Sequence, residues 1–147
     1  MKIAIANDHG GFELKKHLVE YLTNEGHEVV DLGSTSNASV DYPIYGKRIG
    51  EEIVKGSYDF GIAICGTGIG ISIAANKIKG VRAALIYDNK TAVLAKEHNN
   101  ANIIALGGRT TKNRQAEELV EAFMNAQFES RHQNRINLLS EMGESNE

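Results

Sequence analysis

The feature that most constrains the fold of this 147-residue chain recurs five times: a short strand-like run, a polar or glycine-rich turn, and then, as a rule, residues at helical spacing. Most of the runs are apolar throughout, which is typical of parallel strands covered by helices on both faces. The sequence therefore predicts an α/β fold with a five-stranded parallel sheet in a three-layer α/β/α sandwich. The predicted strands cover residues 2–6, 28–32, 60–65, 81–87 and 102–106.

Two further helical stretches, 113–126 and 131–142, follow the fifth unit, and the second should form a C-terminal helix. Pro43 is the only proline, and no linker-like or low-complexity segment interrupts the pattern. A chain of this length fits one domain of roughly 100 to 200 residues. We therefore expect a single Rossmann-like domain over residues 1–147, with residues 143–147 fraying at its end.

Composition and charge exclude several classes of protein. Sixteen basic and nineteen acidic side chains give a net charge of -3, which argues against bulk nucleic-acid binding. The longest apolar runs fall short of the roughly 18 residues of a membrane span, and Asp8 interrupts the apolar start that a signal peptide needs. The single cysteine excludes an internal disulfide, and the five histidines lack metal-ligand spacing. We expect a cytoplasmic protein with no membrane contact and no metal.

The loops that leave parallel strands meet at one edge of a sheet, where ligands bind. One of these loops, residues 65–70, carries glycines at alternate positions, Gly66, Gly68 and Gly70. Their free N–H groups can meet an anion. The spacing differs from the dinucleotide fingerprint and from the P-loop, so no nucleotide cofactor is indicated. The loop predicts either a cradle for an oxyanion or phosphate, or tight packing of a strand against a helix.

Cys65 is the last residue of the third predicted strand and faces this loop. The helix dipole and the converging N–H groups favour its thiolate, which could act as a base or a nucleophile. The alternative is a buried cysteine that closes a hydrophobic strand. The hydroxyl of Thr67, two residues further on, favours chemistry, although it could equally serve as a hydrogen bond at the start of a helix.

A second group of polar side chains lies near the end of the chain. Arg131 and Arg135 are one helical turn apart with His132 beside them, which suits a phosphate dianion. A solvated basic patch paired with Glu129 or Glu141 is the alternative. His98 by itself is more typical of a helix C-terminus than of a catalyst.

Five segments, in this order and spacing, resemble the ribose-5-phosphate isomerase B family over residues 1–139. The relatives of that family include allose-6-phosphate and galactose-6-phosphate isomerases. The resemblance implies the metal-free and cofactor-free interconversion of ribose 5-phosphate and ribulose 5-phosphate through a cis-enediolate. The segments are 8–11, 41–43, 64–77, 98–102 and 131–135.

The resemblance also implies roles for individual residues. By this resemblance, Cys65 would be the base that moves a proton between C2 and C1. Some relatives carry a glutamate base instead, at the position that Ile71 occupies here. Thr67 and the N–H groups of the loop would hold the enediolate oxygen. His98, with Asp8 nearby, would open the sugar ring. The implied phosphate ligands are His9, Arg131 and Arg135, joined by Arg109 and His132, and the implied hydroxyl contacts are Asn99 and Tyr42.

The predicted topology places two of these residues far apart. His98 ends a helix that runs back toward the amino edge of the sheet, whereas Cys65 lies at the carboxyl edge. We therefore expect a homodimer, or a tetramer built from such dimers, with an active site shared between subunits. Two readings of another class compete with the isomerase: a non-catalytic phosphosugar sensor, and a redox protein that acts through Cys65 but lacks a resolving cysteine.

Overall fold

The computed structural model describes residues 1–143 and contains one five-stranded parallel sheet in the order β2-β1-β3-β5-β4. The predicted parallel α/β sheet is confirmed. Residues 144–147, part of the tail expected to fray, lie outside the described residues. The strands are β1 (Lys2–Asn7), β2 (Glu28–Asp31), β3 (Phe60–Cys65), β4 (Ala83–Leu85) and β5 (Ile103–Gly107).

Residues 1–143 form six α-helices, and five of them cover the two faces of this sheet. One face carries α1, α4 and α5, and the other carries α2 and α3, so the three predicted layers are present. None of the helices within residues 1–143 combines the length and the apolar character needed to cross a membrane. The helices are α1 (Phe12–Asn24), α2 (Tyr42–Val54), α3 (Ile69–Asn76), α4 (Asn89–Glu97), α5 (Asn113–Asn125) and α6 (Gln133–Glu141).

The two faces of the sheet differ in the size of their side chains. In β3, Phe60, Ile62 and Ile64 pack on the side of α1 and α5, whereas Ala63 and Cys65 point toward α2 and α3. Small residues bring α2 and α3 close to the strands and to each other. This packing places the first turn of α3 just beyond the short loop that follows Cys65.

The strand order creates a crevice at the carboxyl edge. From β1 the chain continues to β2 on one side, and from β3 it continues toward β4 on the other. Because α1 and α3 cover opposite faces of the sheet, the loops after β1 and β3 diverge, which is where open parallel sheets bind ligands. Asp8 and the loop 65–70 both leave the sheet at this point.

Several element ends differ from the sequence-based boundaries. The fourth strand covers only Ala83–Leu85. Before it the side-chain oxygen of Asn102 accepts the N–H of Arg82, and after it the hydroxyl of Thr91 accepts the N–H groups of Tyr87 and Asp88. Helix α3 begins at Ile69, three residues earlier than expected, since Gly68 adopts a left-handed conformation (φ +80°) that turns the chain into the helix.

Candidate active site

Three loops at the carboxyl edge are bonded to one another. The N–H of Asp8 donates to the carbonyl of Ile64 (3.1 Å), and that of Gly108 donates to the carbonyl of Cys65 (2.8 Å). Gly10 packs so tightly on Gly66 that a Cβ at Gly10 would lie 2.8 Å from the Gly66 nitrogen. The loops after β1, β3 and β5 therefore form one rigid rim.

The thiol of Cys65 is the centre of this rim. Its Sγ accepts a hydrogen bond from the N–H of Gly68 at 3.1 Å, and only 4% of the residue is exposed. A backbone donor aimed at sulfur stabilises a thiolate. The packing interpretation of the glycine loop is confirmed at Gly68, where a Cβ would lie 2.7 Å from Leu85 and 2.8 Å from the backbone of Leu106. The cradle for an oxyanion or phosphate stays a prediction.

Two side chains flank the glycine loop. The ring of Tyr42, the first residue of α2, packs on Gly70, where a Cβ would lie 2.7 Å from the ring. The guanidinium of Arg109 lies beside Gly66, 3.0 Å from the position of a Cβ. Tyr42 and Arg109 thus enclose the loop from two sides, and the substrate contacts predicted for both stay predictions.

Thr67 and Asp8 already have local hydrogen bonds. The Oγ1 of Thr67 accepts the N–H of Ile69 (3.2 Å), the helix-start role considered as its alternative, yet the residue is exposed. Asp8 is nearly buried, and its Oδ1 accepts the N–H of Gly10 (2.9 Å) at the start of a short 3₁₀ turn. The hydroxyl hydrogen of Thr67 stays free to meet a ligand oxygen, since its local bond uses the oxygen as acceptor.

The imidazole of His9 contacts the segment that follows β2. Its Nδ1 lies 3.1 Å from both the nitrogen and the oxygen of Val40. A neutral imidazole can accept the N–H of Val40 there, and an imidazolium can donate to the carbonyl. The backbone of Val40 therefore offers Nδ1 of His9 both a donor and an acceptor.

The remaining predicted residues gather elsewhere. His98 follows the last residue of α4, and its ring lies against His132 with centroids 4.4 Å apart. Asn99, the next residue, is exposed. Arg135 approaches the Nδ1 of His132 at 3.3 Å. This group, which we call the histidine–arginine cluster, comprises His98, Asn99, Arg131, His132 and Arg135.

The expected single helical face for the two arginines is wrong. Arg131 belongs to a 3₁₀ turn (Ser130–His132) that precedes α6, and its Nε donates to Glu129 at 2.7 Å. This hydrogen bond, the largest cause, lowers the pKa of the Glu129 carboxyl. The pairing with Glu129 that we weighed against phosphate binding is thus present in the isolated chain. Because the pair is exposed and weak, a phosphate can compete for Arg131.

His132 is the buried member of the cluster. Desolvation, followed by the charges of Arg131, His98 and Arg135, lowers the pKa of His132 below its usual value. A neutral ring whose Nδ1 faces the Arg135 donor carries its proton on Nε2. That Nε2 is buried and has no hydrogen-bond partner within the described part of the chain. His132 therefore offers an unused donor.

The rim and the cluster lie at opposite edges of the sheet. Helix α4 starts after the carboxyl end of β4, and its nine residues span about 13 Å before His98. The chain then enters β5 at Ile103 and regains the carboxyl edge only at Gly107, which pairs with Cys65. Within one chain Cys65 and His98 do not meet, as the predicted topology requires.

An apolar surface remains exposed next to the rim. Ile69 and Ile73 lie one turn apart on α3 and are 52% and 55% exposed. Ile44 on the neighbouring α2 is also about half exposed, and so are Leu138 and Leu139 on α6, which lies with the cluster away from the rim. Exposed aliphatic side chains on neighbouring elements are typical of a protein–protein contact.

Sequence analysis missed Lys15, which the structure buries next to the segment that holds His9. A signal for it exists, because Lys15 falls between Leu14 and Leu18 on the buried face of α1. A lysine in such a position requires a partner. Within residues 1–143 we find no group of three or more His, Cys, Asp or Glu side chains placed to bind a metal ion.

Comparison with known proteins identifies the family. The model of the Ribose/Galactose Isomerase family matches residues 3–139 of this chain. Over 140 residues the chain is 42% identical to ribose-5-phosphate isomerase B of Escherichia coli, covering 95% of this chain and 94% of that protein. Over 135 residues it is 43% identical to the galactose-6-phosphate isomerase subunit LacB of Clostridium acetobutylicum, covering 92% of this chain and 78% of that protein.

Solved structures share the fold. The ribose 5-phosphate isomerase of Thermotoga maritima matches with a TM-score of 0.93 at 47% identity, covering 96% of this chain and 98% of that chain. Ribose-5-phosphate isomerase B of Mycoplasma genitalium, with bound ribulose-5-phosphate, matches with a TM-score of 0.89 at 42% identity, covering 95% and 93%. The resemblance stated from the sequence is confirmed, and so is an isomerase as the class of enzyme. This chain therefore belongs to the ribose/galactose isomerase family.

Proposed function

We propose that this protein is an aldose–ketose isomerase that interconverts ribose 5-phosphate and ribulose 5-phosphate without a metal or cofactor. The observation that carries the proposal is the hydrogen bond from the Gly68 N–H to the Cys65 sulfur at the sheet crevice. It supports a thiolate beside a row of backbone donors, which is the combination that proton transfer at carbon requires. The names of the relatives in Escherichia coli and Mycoplasma genitalium favour this substrate.

In the proposed reaction the Cys65 thiolate removes the proton from C2 of the open-chain aldose. The electron pair of that C–H bond forms the C1–C2 double bond, and O1 takes the negative charge. Thr67 and those N–H groups of residues 66–70 that have no partner within the loop stabilise this enediolate more strongly than the neutral substrate. The N–H of Gly68 already bonds Cys65, and that of Ile69 bonds Thr67. The Cys65 thiol then returns its proton to C1, the proton of the C2 hydroxyl passes to O1, and C2 becomes the ketone carbonyl.

The histidine–arginine cluster supplies the steps that Cys65 cannot perform. His98 opens the sugar ring by moving a proton between the ring oxygen and the anomeric hydroxyl, with Asp8 nearby. The phosphate is held by Arg131, Arg135 and the unused Nε2 donor of His132, together with His9 and Arg109. Tyr42 and Asn99 contact the sugar hydroxyls. The buried N–H of His132 supports this role, because a phosphate oxygen would satisfy it.

The active site forms between two copies of the chain. Cys65 and His98 lie at opposite edges of one sheet, so a second subunit has to bring its own cluster to the rim. The exposed apolar side chains of α3, which begins next to Cys65, support a contact at this place. A homodimer with two shared sites satisfies both observations, and a tetramer can be built from such dimers.

A six-carbon substrate is the second candidate. The 43% identity to the subunit LacB favours galactose 6-phosphate as an alternative, and allose 6-phosphate belongs to the same chemistry. One extra carbon lengthens the path from Cys65 to the phosphate group without changing the proton transfer. The residues that bind and react would therefore be the same.

The test is an isomerisation assay on ribose 5-phosphate, allose 6-phosphate and galactose 6-phosphate, with and without a chelator. We expect the highest kcat/KM on ribose 5-phosphate, unchanged by the chelator. Highest kcat/KM on a six-carbon substrate would assign the alternative, and chelator-sensitive turnover would reject the metal-free mechanism. A wild-type protein that binds ribose 5-phosphate but does not convert it would be a sensor.

A further inference from the structure

The proposed reaction assigns no role to a buried lysine on α1. Lys15 on α1 is 3% exposed, and its ammonium donates to Oδ2 of Asp31 (2.8 Å) and to the carbonyl of Ser34 (2.7 Å). A charged lysine is rarely buried without a partner, because desolvation of the ammonium is costly. The adjacent Lys16 is exposed and pairs with Glu13 at 3.6 Å.

The partners of Lys15 fix the chain where it leaves β2. While Oδ2 of Asp31 meets Lys15, its Oδ1 accepts the N–H of Gly33 at 2.8 Å. Gly33 and Ser34 in turn bond the backbone of Asn7, two residues before His9, at 2.7 and 2.9 Å. Lys15 thus holds the end of β2 at the point where the backbone of Gly33 and Ser34 bonds the end of β1.

Ser34, which Lys15 fixes, begins an exposed segment. Residues 35–39 are all exposed, whereas Ser34 before them bonds Lys15 and Val40 after them bonds His9. Within it, the hydroxyl of Ser34 donates to the carbonyl of Ser36 (2.7 Å), and Ala38 donates its N–H to the Ser36 hydroxyl (3.2 Å). The placement of Ser34 is therefore transmitted along the turn to Val40.

Val40 meets the imidazole of His9. Both its nitrogen and its oxygen lie 3.1 Å from Nδ1, so the ring direction follows the position of this one backbone residue. We propose that Lys15 is a positioning residue: by fixing Asp31 and Ser34 it holds Val40 against His9 and aims the free Nε2 of His9 at the substrate phosphate. This inference rests on the proposed function, which assigns His9 to the phosphate.

The experiment compares Lys15→Met with Lys16→Met in the full-length protein. Methionine keeps an unbranched chain and removes the ammonium, and both lysines lie over the Phe12 ring, at 5.2 and 5.4 Å, so Lys16→Met controls for that contact. We expect Lys15→Met to raise the KM for ribose 5-phosphate about tenfold with kcat within about twofold, the pattern of lost ground-state binding. Lys16→Met should leave both constants unchanged.

A second measurement separates positioning from stability. In ¹⁵N-histidine-labelled protein, the ring signals of His9 should shift in Lys15→Met and stay unchanged in Lys16→Met. A lower Tm with unchanged KM and unchanged His9 signals would show that Lys15 only stabilises the fold, and would overturn the proposal. If Lys15→Met does not fold, Asp31→Asn gives the same test, with a smaller shift and a smaller rise in KM expected.

The outcomes also distinguish this inference from the proposed function. Should the wild-type protein convert no sugar phosphate, the isomerase proposal fails, whereas the His9 signals still report whether Lys15 sets the ring. The inference alone would be rejected if the wild-type protein is an active isomerase but neither Lys15→Met nor Asp31→Asn changes the His9 signals or the KM.

Discussion

The imidazole rings of His98 and His132 lie against each other with centroids 4.4 Å apart, at the edge of the sheet opposite Cys65. This contact joins the proposed ring-opening residue to the proposed phosphate site. It also separates both from the proposed base. The proposed reaction therefore requires two halves that one chain keeps apart.

Mixing two inactive variants tests this arrangement. Cys65→Ala and His98→Ala each remove one half of the site, and a mixed dimer regains one intact site while its other site carries both changes. Random exchange makes half of the dimers mixed, so we expect about a quarter of wild-type activity after unfolding and refolding the two together. The measurement is ribose 5-phosphate turnover of the refolded mixture, with each variant refolded alone as control. No recovery in a mixture shown to contain mixed dimers would place both halves in one subunit.

Cys65→Ala should lower kcat by at least about 100-fold, because the variant loses its proton acceptor at C2. Binding of ribose 5-phosphate, measured by calorimetry, should remain close to that of the wild type, since the variant keeps every proposed phosphate ligand. Ile73→Ala on the exposed face of α3 is not a suitable control here, as it touches the proposed contact between subunits. Ser57→Ala, at an exposed turn remote from the rim, serves instead.

Gly68→Ala should destabilise the protein and slow the reaction. Its φ of +80° disfavours any side chain, and the new Cβ would lie 2.7 Å from Leu85 and 2.8 Å from the backbone of Leu106. Gly26→Ala is the matched control, because Gly26 has a φ of +93° and no atom within 4 Å of the added Cβ. We expect Gly26→Ala to cost about 1 kcal/mol in the free energy of unfolding, and Gly68→Ala clearly more.

Urea unfolding measures the difference in unfolding free energy between Gly68→Ala and Gly26→Ala. The kcat of each variant shows which of the two glycines matters for the reaction. Gly26→Ala should retain wild-type kcat, whereas Gly68→Ala should lose activity as the donor to the Cys65 sulfur moves. Equal unfolding free energies for the two variants would contradict the tight packing of α3 on the sheet.

His132 should make the free energy of unfolding depend on pH. Since the fold lowers the pKa of His132, the unfolded chain binds more protons than the native one as the pH falls through the ordinary histidine range of about 6.5. The contribution is thus fully present above that range and is lost below it. Urea unfolding at pH 7.5 and pH 5.5 checks this sign, and in His132→Gln the difference between the two pH values should shrink. An unchanged difference would show that burial of His132 does not govern it.

Local features of the sequence were sufficient for the fold class and for the rim. Apolar strand runs, the glycines of residues 65–70 and the helical spacing after each turn are short-range signals, so the parallel sheet and the loop after Cys65 could be predicted from them. The separation of Cys65 from His98 followed too, because it needs only the direction of α4 relative to the strands.

Other features depend on partners that are distant in sequence. The position of β5 between β3 and β4 is a pairing of distant segments, and so is the bond from the Arg82 N–H to Asn102 before the short β4. The 3₁₀ turn that takes Arg131 out of α6 follows Glu129, whose N–H donates to the carbonyl of Glu97. Lys15 shows the same limit, as its position on the buried face of α1 indicates that it needs a partner but does not say which. From the amino-acid sequence we could predict the elements and the residue types at the ends of the strands, because strand and helix patterns and turn preferences are local. Which side chains contact one another is visible only in the folded chain, because Asp31, Ser34 and Val40 reach Lys15 and His9 through the packing of the whole sheet.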